Sequence, residues 1–148
     1  NIFGPRQDPE GAYAAVIPQW FKGLLTGAQV NINGDGETSR DFCYVDNCVQ
    51  ANILAATTSN ARAAGQIFNV AFGERTSLNE LYAMIRDLVA TRRPAAASQE
   101  PVYRDFRPGD VRHSLADTTK ARELMGYEPE YSVRQGLERA AGWYGENL

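Results

Sequence analysis

Most of the chemistry this sequence offers lies in one run, Arg104-Asp105-Phe106-Arg107-Pro108-Gly109-Asp110-Val111-Arg112-His113-Ser114. Three arginines alternate there with two aspartates around a Pro-Gly pair. On composition alone this is equally a solvated loop with local ion pairs. Its chemical reading is an anion site. A guanidinium is a planar fork that matches phosphate oxygens, so one Arg can take a diphosphate bidentately. A carboxylate beside it cannot also bind phosphate, but it can accept hydrogen bonds from the two hydroxyls of a ribose. Arg107 with Asp110 would suit a nucleoside diphosphate. A second cation, Arg40, stands in Gly36-Glu37-Thr38-Ser39-Arg40-Asp41-Phe42. It reads either as a strand-edge cation paired with Asp41 or, should it meet Arg107, as the second prong of a diphosphate clamp.

Other chemistries find little to stand on. There is no Gly-x-Gly-x-x-Gly, no phosphate loop ending in Gly-Lys-Ser/Thr and no Gly-x-Ser-x-Gly in the sequence. Gly34-Asp35-Gly36 sits in a turn signal and opens no helix. The one histidine, His113, lies among arginines, where positive charge disfavours the imidazolium that a general base must become. Cys43, Cys48 and His113 do not supply the four ligands of a structural zinc site, so no metal is expected. The two cysteines read as small buried residues in a reducing, cytoplasmic compartment rather than as a disulfide.

The elements that must position these groups follow from spacing. Val16, Trp20 and Leu24, with Ile17, Phe21 and Leu25, make one wide apolar helix face, with Pro18 in its first turn and Gly27 at its C-terminal cap. Val30–Ile32 and 41–45 read as strands around the Asn33–Gly36 turn. Asp46 or Asn47 is expected to cap a helix whose apolar face carries Val49, Ile53 and Ala56. Residues 67–72 have the character of a buried parallel strand. Ser77/Glu80 and Ser132/Gln135 are spaced as capping boxes. The first precedes the stripe Leu78, Leu81, Ile85 and Leu88. The second precedes Val133, Leu137, Ala140 and Tyr144. Residues 94–100 read as an exposed loop, 102–103 as a short strand, and Asp117 as the cap of a helix that ends at Gly126. Strands alternate with helices, which predicts an α/β fold.

The chain has 148 residues, 43% apolar and 22% charged, with a net charge of −3. That usage is globular, and an acidic balance excludes the basic footprint of a nucleic-acid binder. No apolar run approaches the roughly 18–20 residues of a membrane helix, and nothing in the sequence points to a secretory leader.

At Asn1-Ile2-Phe3-Gly4-Pro5-Arg6-Gln7, at 32–46, at Phe68-Asn69-Val70-Ala71, at Arg107-Pro108-Gly109-Asp110 and at 116–121 the sequence resembles the extended short-chain dehydrogenase/reductases. These are the NAD-dependent nucleotide-sugar epimerases and dehydratases, and the resemblance is to their C-terminal part. The stretch Ala12-Tyr13-Ala14-Ala15-Val16-Ile17-Pro18 and the run from Arg107 to Ser114 look most like the 4-epimerases of UDP-N-acetylglucosamine and its relatives. The resemblance implies that Asn1, Arg40 and Arg107 face the diphosphate and that Asp110 holds the ribose diol. Ala15 and Val16 would lay backbone N–H and C=O groups against uracil, groups left free at a helix start. Gln7 would make a weaker nucleotide-side contact. Ser114 would stand beside the sugar ring, small enough for an acetamido group.

The family's glycine fingerprint and its Tyr-x-x-x-Lys catalytic base have no counterpart here, and in the family both lie before the residue matched by Asn1. The resemblance thus implies that residues 1–148 are the substrate-binding part plus the last strands of a Rossmann-type enzyme, with no catalytic residue of their own. NAD would bind the intact enzyme and not this chain alone. There, hydride would leave C4 of the sugar for NAD and return to the other face. The expected partners are a UDP-hexose or UDP-N-acetylhexosamine and the N-terminal NAD-binding half. The alternatives are a UDP-sugar dehydratase, decarboxylase or hexuronate epimerase, or a non-catalytic nucleotide-sugar-binding module. Alone, with the 67–72 strand uncovered, the chain is expected to be a homo-oligomer or poorly soluble.

Overall fold

A computed structural model describes residues 1–10 and 14–148; the Ala12-Tyr13 end of the epimerase-like stretch lies outside the described residues. The elements run β1 (Ile2–Phe3), α1 (Val16–Thr26), β2 (Asn31–Asn33), β3 (Ser39–Arg40), β4 (Cys43–Tyr44), α2 (Val45–Thr57), β5 (Thr76–Ser77), α3 (Leu78–Ala90), β6 (Val102–Arg104), α4 (Thr119–Met125) and α5 (Val133–Asn147). The α/β class is as expected from the sequence. The strands form three pairs: β1 with β4 and β2 with β6 are parallel, and β3 with β5 is antiparallel.

Local signals decide where the helices begin and end. Gly27 and Gly126 take left-handed conformations as C-caps of α1 and α4, which a residue with a Cβ adopts only at a cost. Both capping boxes form, Ser77 with Glu80 and Ser132 with Gln135. Asp117 acts one residue outside the expected cap: Thr118 is the N-cap of α4, and the Asp117 carboxylate accepts the Thr119 N–H at 2.9 Å.

The main core joins α1, α3 and α5 to β1, β2 and β4 through Trp20, Phe21, Leu24, Ile32, Leu81, Ile85, Leu137 and Tyr144. The Phe21 and Tyr144 rings stack at 4.5 Å, and the buried Tyr144 hydroxyl donates to the Gly4 carbonyl at 2.7 Å. A smaller core gathers Ala51, Ala63, Ala121, Met125 and Tyr127 under α2 and α4.

Three expectations are corrected. The face of α2 that carries Val49 and Ile53 is exposed, at 49% and 58%. Its buried residues are Asn47 and Ala51, and the helix starts at Val45 without a side-chain cap. Asn47 spends its amide elsewhere, donating to the Tyr131 carbonyl at 2.7 Å and accepting the Glu130 and Tyr131 N–H groups at 2.9 and 3.0 Å. Residues 67–72 form no strand, because among the described residues no neighbouring strand completes a ladder there; Ile67 is 86% exposed. Residues 94–100 are not wholly an exposed loop, since Pro94–Ser98 form a 3-10 turn that buries Ala96. Both cysteines are free thiols, Cys43 buried and Cys48 half-buried.

Candidate functional site

The site is built where β3 runs beside the 104–114 loop. The loop is tied at both ends. At its start, β6 pairs with β2, so that Arg104 stands opposite Asn33, and the Gly34 N–H donates to the Arg104 carbonyl at 2.8 Å. At its end, the Ser39 N–H donates to the Arg112 carbonyl at 3.0 Å and the Ser114 N–H to the Ser39 carbonyl at 3.2 Å.

Between these anchors the sequence Arg107-Pro108-Gly109-Asp110 turns back on itself. The Asp110 N–H donates to the Arg107 carbonyl at 3.1 Å, and Gly109 has φ 78°. Proline followed by a positive-φ glycine is the signature of a type II turn. The turn carries Arg107 and Asp110 at its two ends, and the Arg40 guanidinium crosses from β3 to pair with the Asp110 carboxylate. Arg40 and Asp110, 70 positions apart, therefore meet, with Arg107 on the same turn. Arg40 is largely covered, its side chain 17% exposed, while Arg107 faces solvent.

The loop is braced from the side. Arg112 grips Asp35 bidentately at 2.8 and 2.7 Å and lies 5.4 Å from the Phe106 ring centroid. Phe106 in turn covers Gly34, where an added Cβ would come within 2.4 Å of the ring. The Arg112 guanidinium, helped by the Glu37 N–H, holds the Asp35 carboxyl down to about 2.

Arg40 does not pair with Asp41. The Asp41 carboxylate turns inward, 5% exposed, and accepts the Phe72 N–H at 3.1 Å, the Gly73 N–H at 3.2 and 3.0 Å and, longer, the Ala116 N–H at 3.4 Å. It joins the β3 strand to the 72–73 bend and to the outgoing leg of the loop. Sequence reasoning missed this role, although a carboxylate heading the apolar run Phe42–Val45 was a signal of a buried, hydrogen-bonded group. It also missed that Ser39 Oγ lies 2.9 Å from His113 Nδ1. Among the described residues no carboxylate hydrogen-bonds His113, and Ser39 is 7% exposed, so the pair lacks the orienting acid and the access of a hydrolytic triad.

The remaining candidates sit elsewhere. The Asn1 carbonyl accepts the Cys43 N–H at 3.1 Å, which places Asn1 at the head of the β1–β4 pair. Gln7 is half-buried, with its Oε1 enclosed and without a partner among the described residues. Ala15 is the N-cap of α1 and Val16 its first residue, with no side chain capping the turn. The Ala15 carbonyl is not free as expected: it accepts the Gln19 N–H at 3.4 Å, the helix's first bond. The earlier amide donors of that turn have no acceptor among the described residues. Among the described residues no hydrogen bond links Asn1, Gln7, Ala15 or Val16 to the Arg40–Asp110 cluster, whereas Ser114 joins it through Ser39.

The residues described do not suit a dinucleotide. The Gly34-Asp35-Gly36 pair is filled by the protein's own side chains, Phe106 over Gly34 and Asn79 over Gly36. The turn leads into β3 rather than into a helix N-terminus, which is where a pyrophosphate cradle would need it. Among the described residues no group of three His, Cys, Asp or Glu could hold a metal ion, and no helix is long and apolar enough to cross a membrane.

Comparison with known proteins agrees with this architecture. Residues 1–71 match the model of the NAD dependent epimerase/dehydratase family. The chain is 36% identical over 97% of its length to 43% of a UDP-glucose 4-epimerase of Mycolicibacterium smegmatis. It is 30% identical over 99% of its length to 44% of a UDP-N-acetyl-alpha-D-glucosaminuronate decarboxylase of Bacillus cytotoxicus. Among solved structures, the UDP-glucose 4-epimerase of Thermotoga maritima with UDP-glucose superposes with a TM-score of 0.87 at 38% identity, over 99% of this chain and 44% of that one. A UDP-N-acetylglucosamine 4-epimerase of Methanobrevibacter ruminantium, in complex with UDP-N-acetylmuramic acid, gives 0.86 at 36% identity, over 100% of this chain and 44% of that one. The chain thus spans less than half the length of these relatives. In sequence and in fold it resembles the NAD-dependent epimerases and dehydratases, over less than half of their length.

Proposed function

We propose that this chain is the UDP-sugar-binding, C-terminal portion of an NAD-dependent UDP-N-acetylglucosamine/UDP-glucose 4-epimerase. The observation that carries the reading is the meeting of Arg40 with the Arg107–Asp110 turn. A guanidinium from β3 paired with the carboxylate of a turn that carries a second arginine suits a diphosphate joined to a ribose. Asn1 would add an amide to the diphosphate, and Gln7 a nucleotide-side contact. The open N–H groups at Ala15 and Val16 would meet the O4 acceptor of uracil. Ser114, held beside Ser39, leaves volume next to the sugar ring for an acetamido group. Its size admits both sugars.

The firm grip would fall on the UDP, which leaves the hexose free to turn. Chemistry at C4 belongs to residues outside this chain. The exposed apolar surface of Val49, Ile53 and Ile67 is where the NAD-binding portion would pack, consistent with relatives more than twice as long. A decarboxylase or hexuronate epimerase is the second reading, favoured by the Bacillus cytotoxicus relative. Product analysis of the full-length protein with UDP-N-acetylglucosamine and UDP-glucuronate separates the two. The test of the site itself is calorimetric titration with UDP. Arg107→Ala is expected to weaken binding by about 1.5–3 kcal/mol, the scale of a charged hydrogen bond. An affinity that does not change refutes the site.

A further inference from the structure

We propose that Asp110 is a specificity gate, which rejects diphosphates that bring no diol by occupying the anion prong, Arg40, itself. The inference rests on the nucleotide reading above and deepens it.

The Arg40 guanidinium is paired with groups of the protein itself. One of its nitrogens donates to the Ser39 carbonyl at 2.8 Å and another to the Asp110 carboxylate. A diphosphate arriving at Arg40 must therefore compete with a carboxylate of the protein's own. An incoming anion cannot displace that carboxylate without leaving it facing negative charge, and like charges at contact distance repel. Inorganic pyrophosphate meets this penalty in full.

A nucleoside diphosphate does not. Its ribose offers two hydroxyl donors to the carboxylate as the phosphates take the guanidinium, so the ion pair is exchanged rather than broken. The turn is suited to that exchange. Asp110 sits at its far end, 39% exposed, and Gly109 beside it is open, with nothing near an added Cβ. The flanks of the loop are pinned by Arg112 to Asp35 and by Ser114 to Ser39. The carboxylate can move while the scaffold stays. Discrimination here comes from an element that opposes the wrong ligand as well as one that attracts the right one.

The test sets two ligands against one substitution. UDP and inorganic pyrophosphate are titrated calorimetrically into the protein, into Asp110→Asn and into Arg40→Ala. Circular dichroism melts confirm that each variant is folded. Asp110→Asn is expected to weaken UDP about ten- to hundredfold, the scale of lost hydrogen bonds to a charged group. It is expected to tighten pyrophosphate about two- to fivefold, the scale of an exposed ion pair released. Arg40→Ala is expected to weaken both. If Asp110→Asn weakens both ligands alike or leaves pyrophosphate unchanged, while Arg40→Ala still weakens UDP, the gate is overturned and the nucleotide site stands. If Arg40→Ala leaves UDP binding unchanged, or UDP does not bind the protein, the nucleotide reading falls and the gate with it. Asp110→Ser, which also lacks charge, must reproduce the pyrophosphate gain; a gain confined to Asn would mean a new amide contact and would refute the gate.

Discussion

Asp41 offers the sharpest stability prediction. Its carboxylate, 5% exposed, holds the Phe72 and Gly73 amides at 3.0–3.2 Å and the Ala116 amide at 3.4 Å. Asp41→Ala removes the acceptor and leaves those N–H groups without their partner in a part-buried site. A hydrogen bond to a charged group contributes about 1.5–3 kcal/mol, and the Phe72 and Gly73 bonds are the well-formed ones, so the expected loss is about 3–6 kcal/mol. In a chain of this size each kcal/mol moves the melting temperature by about 2–4 °C, so the midpoint should fall by about 6–24 °C. Asp41→Asn keeps an oxygen at the Oδ1 position for Phe72 and Gly73, but its NH2 then faces the Gly73 and Ala116 donors. Its loss should be intermediate, about 2–3 kcal/mol. The assay is thermal unfolding followed by circular dichroism at neutral pH. A drop of less than about 1 kcal/mol for Asp41→Ala would refute the view that this carboxylate ties three segments together, since that is the scale of a single ordinary hydrogen bond.

Other positions carry their own tests. Tyr144→Phe deletes the buried hydroxyl that donates to Gly4 at 2.7 Å. Urea unfolding should show a loss of about 1–3 kcal/mol, the cost of an unpaired buried carbonyl. Gly136→Ala would set a Cβ 2.7 Å from both Phe3 and Tyr44, so it should destabilise by about 1–3 kcal/mol in spite of its better helix propensity; a more stable variant contradicts the packing. The Asp35 carboxyl, held at about 2 by Arg112, should titrate there by carbon NMR and return to the usual carboxylate range in Arg112→Gln. Because the folded value is the depressed one, this tether is complete above the ordinary carboxylate pKa and is lost as pH falls toward 2. Ile53→Lys and Ile67→Lys remove exposed apolar surface. They should shift the chain toward monomer in gel filtration with little change in melting temperature; an unchanged elution profile argues against those two residues as the sticky ones.

The sequence was readable wherever the signal is local. A Ser three residues before Glu or Gln, a Gly after the last apolar position of a stripe, and Pro-Gly inside the 107–110 turn each act within a few residues. These features need no knowledge of the rest of the chain. What failed was decided by distant surfaces. Val49 and Ile53 have helical spacing, but the spacing says which residues are apolar and not whether anything covers them. The α2 helix instead turns Ala51 toward α4, and Asn47 toward the 130–131 backbone. Residues 67–72 have strand composition, yet a strand exists only through a partner's ladder, and none is present among the described residues. At the site, the residue types of Arg40, Arg107 and Asp110 were legible as diphosphate and diol chemistry. Their meeting across 70 positions was not, because it depends on β3 pairing with the loop at Ser39 and His113. Pairing with Asp41 was one of the two readings open for Arg40, and the alternation of the extended backbone sets the two side chains on opposite faces.

The nucleotide site is tested most directly by a crystal structure of the protein with UDP. It should show the diphosphate between Arg40 and Arg107, and the ribose hydroxyls on an Asp110 carboxylate that has left Arg40. UDP bound away from the 107–110 turn, or bound with neither arginine on its phosphates, contradicts the account.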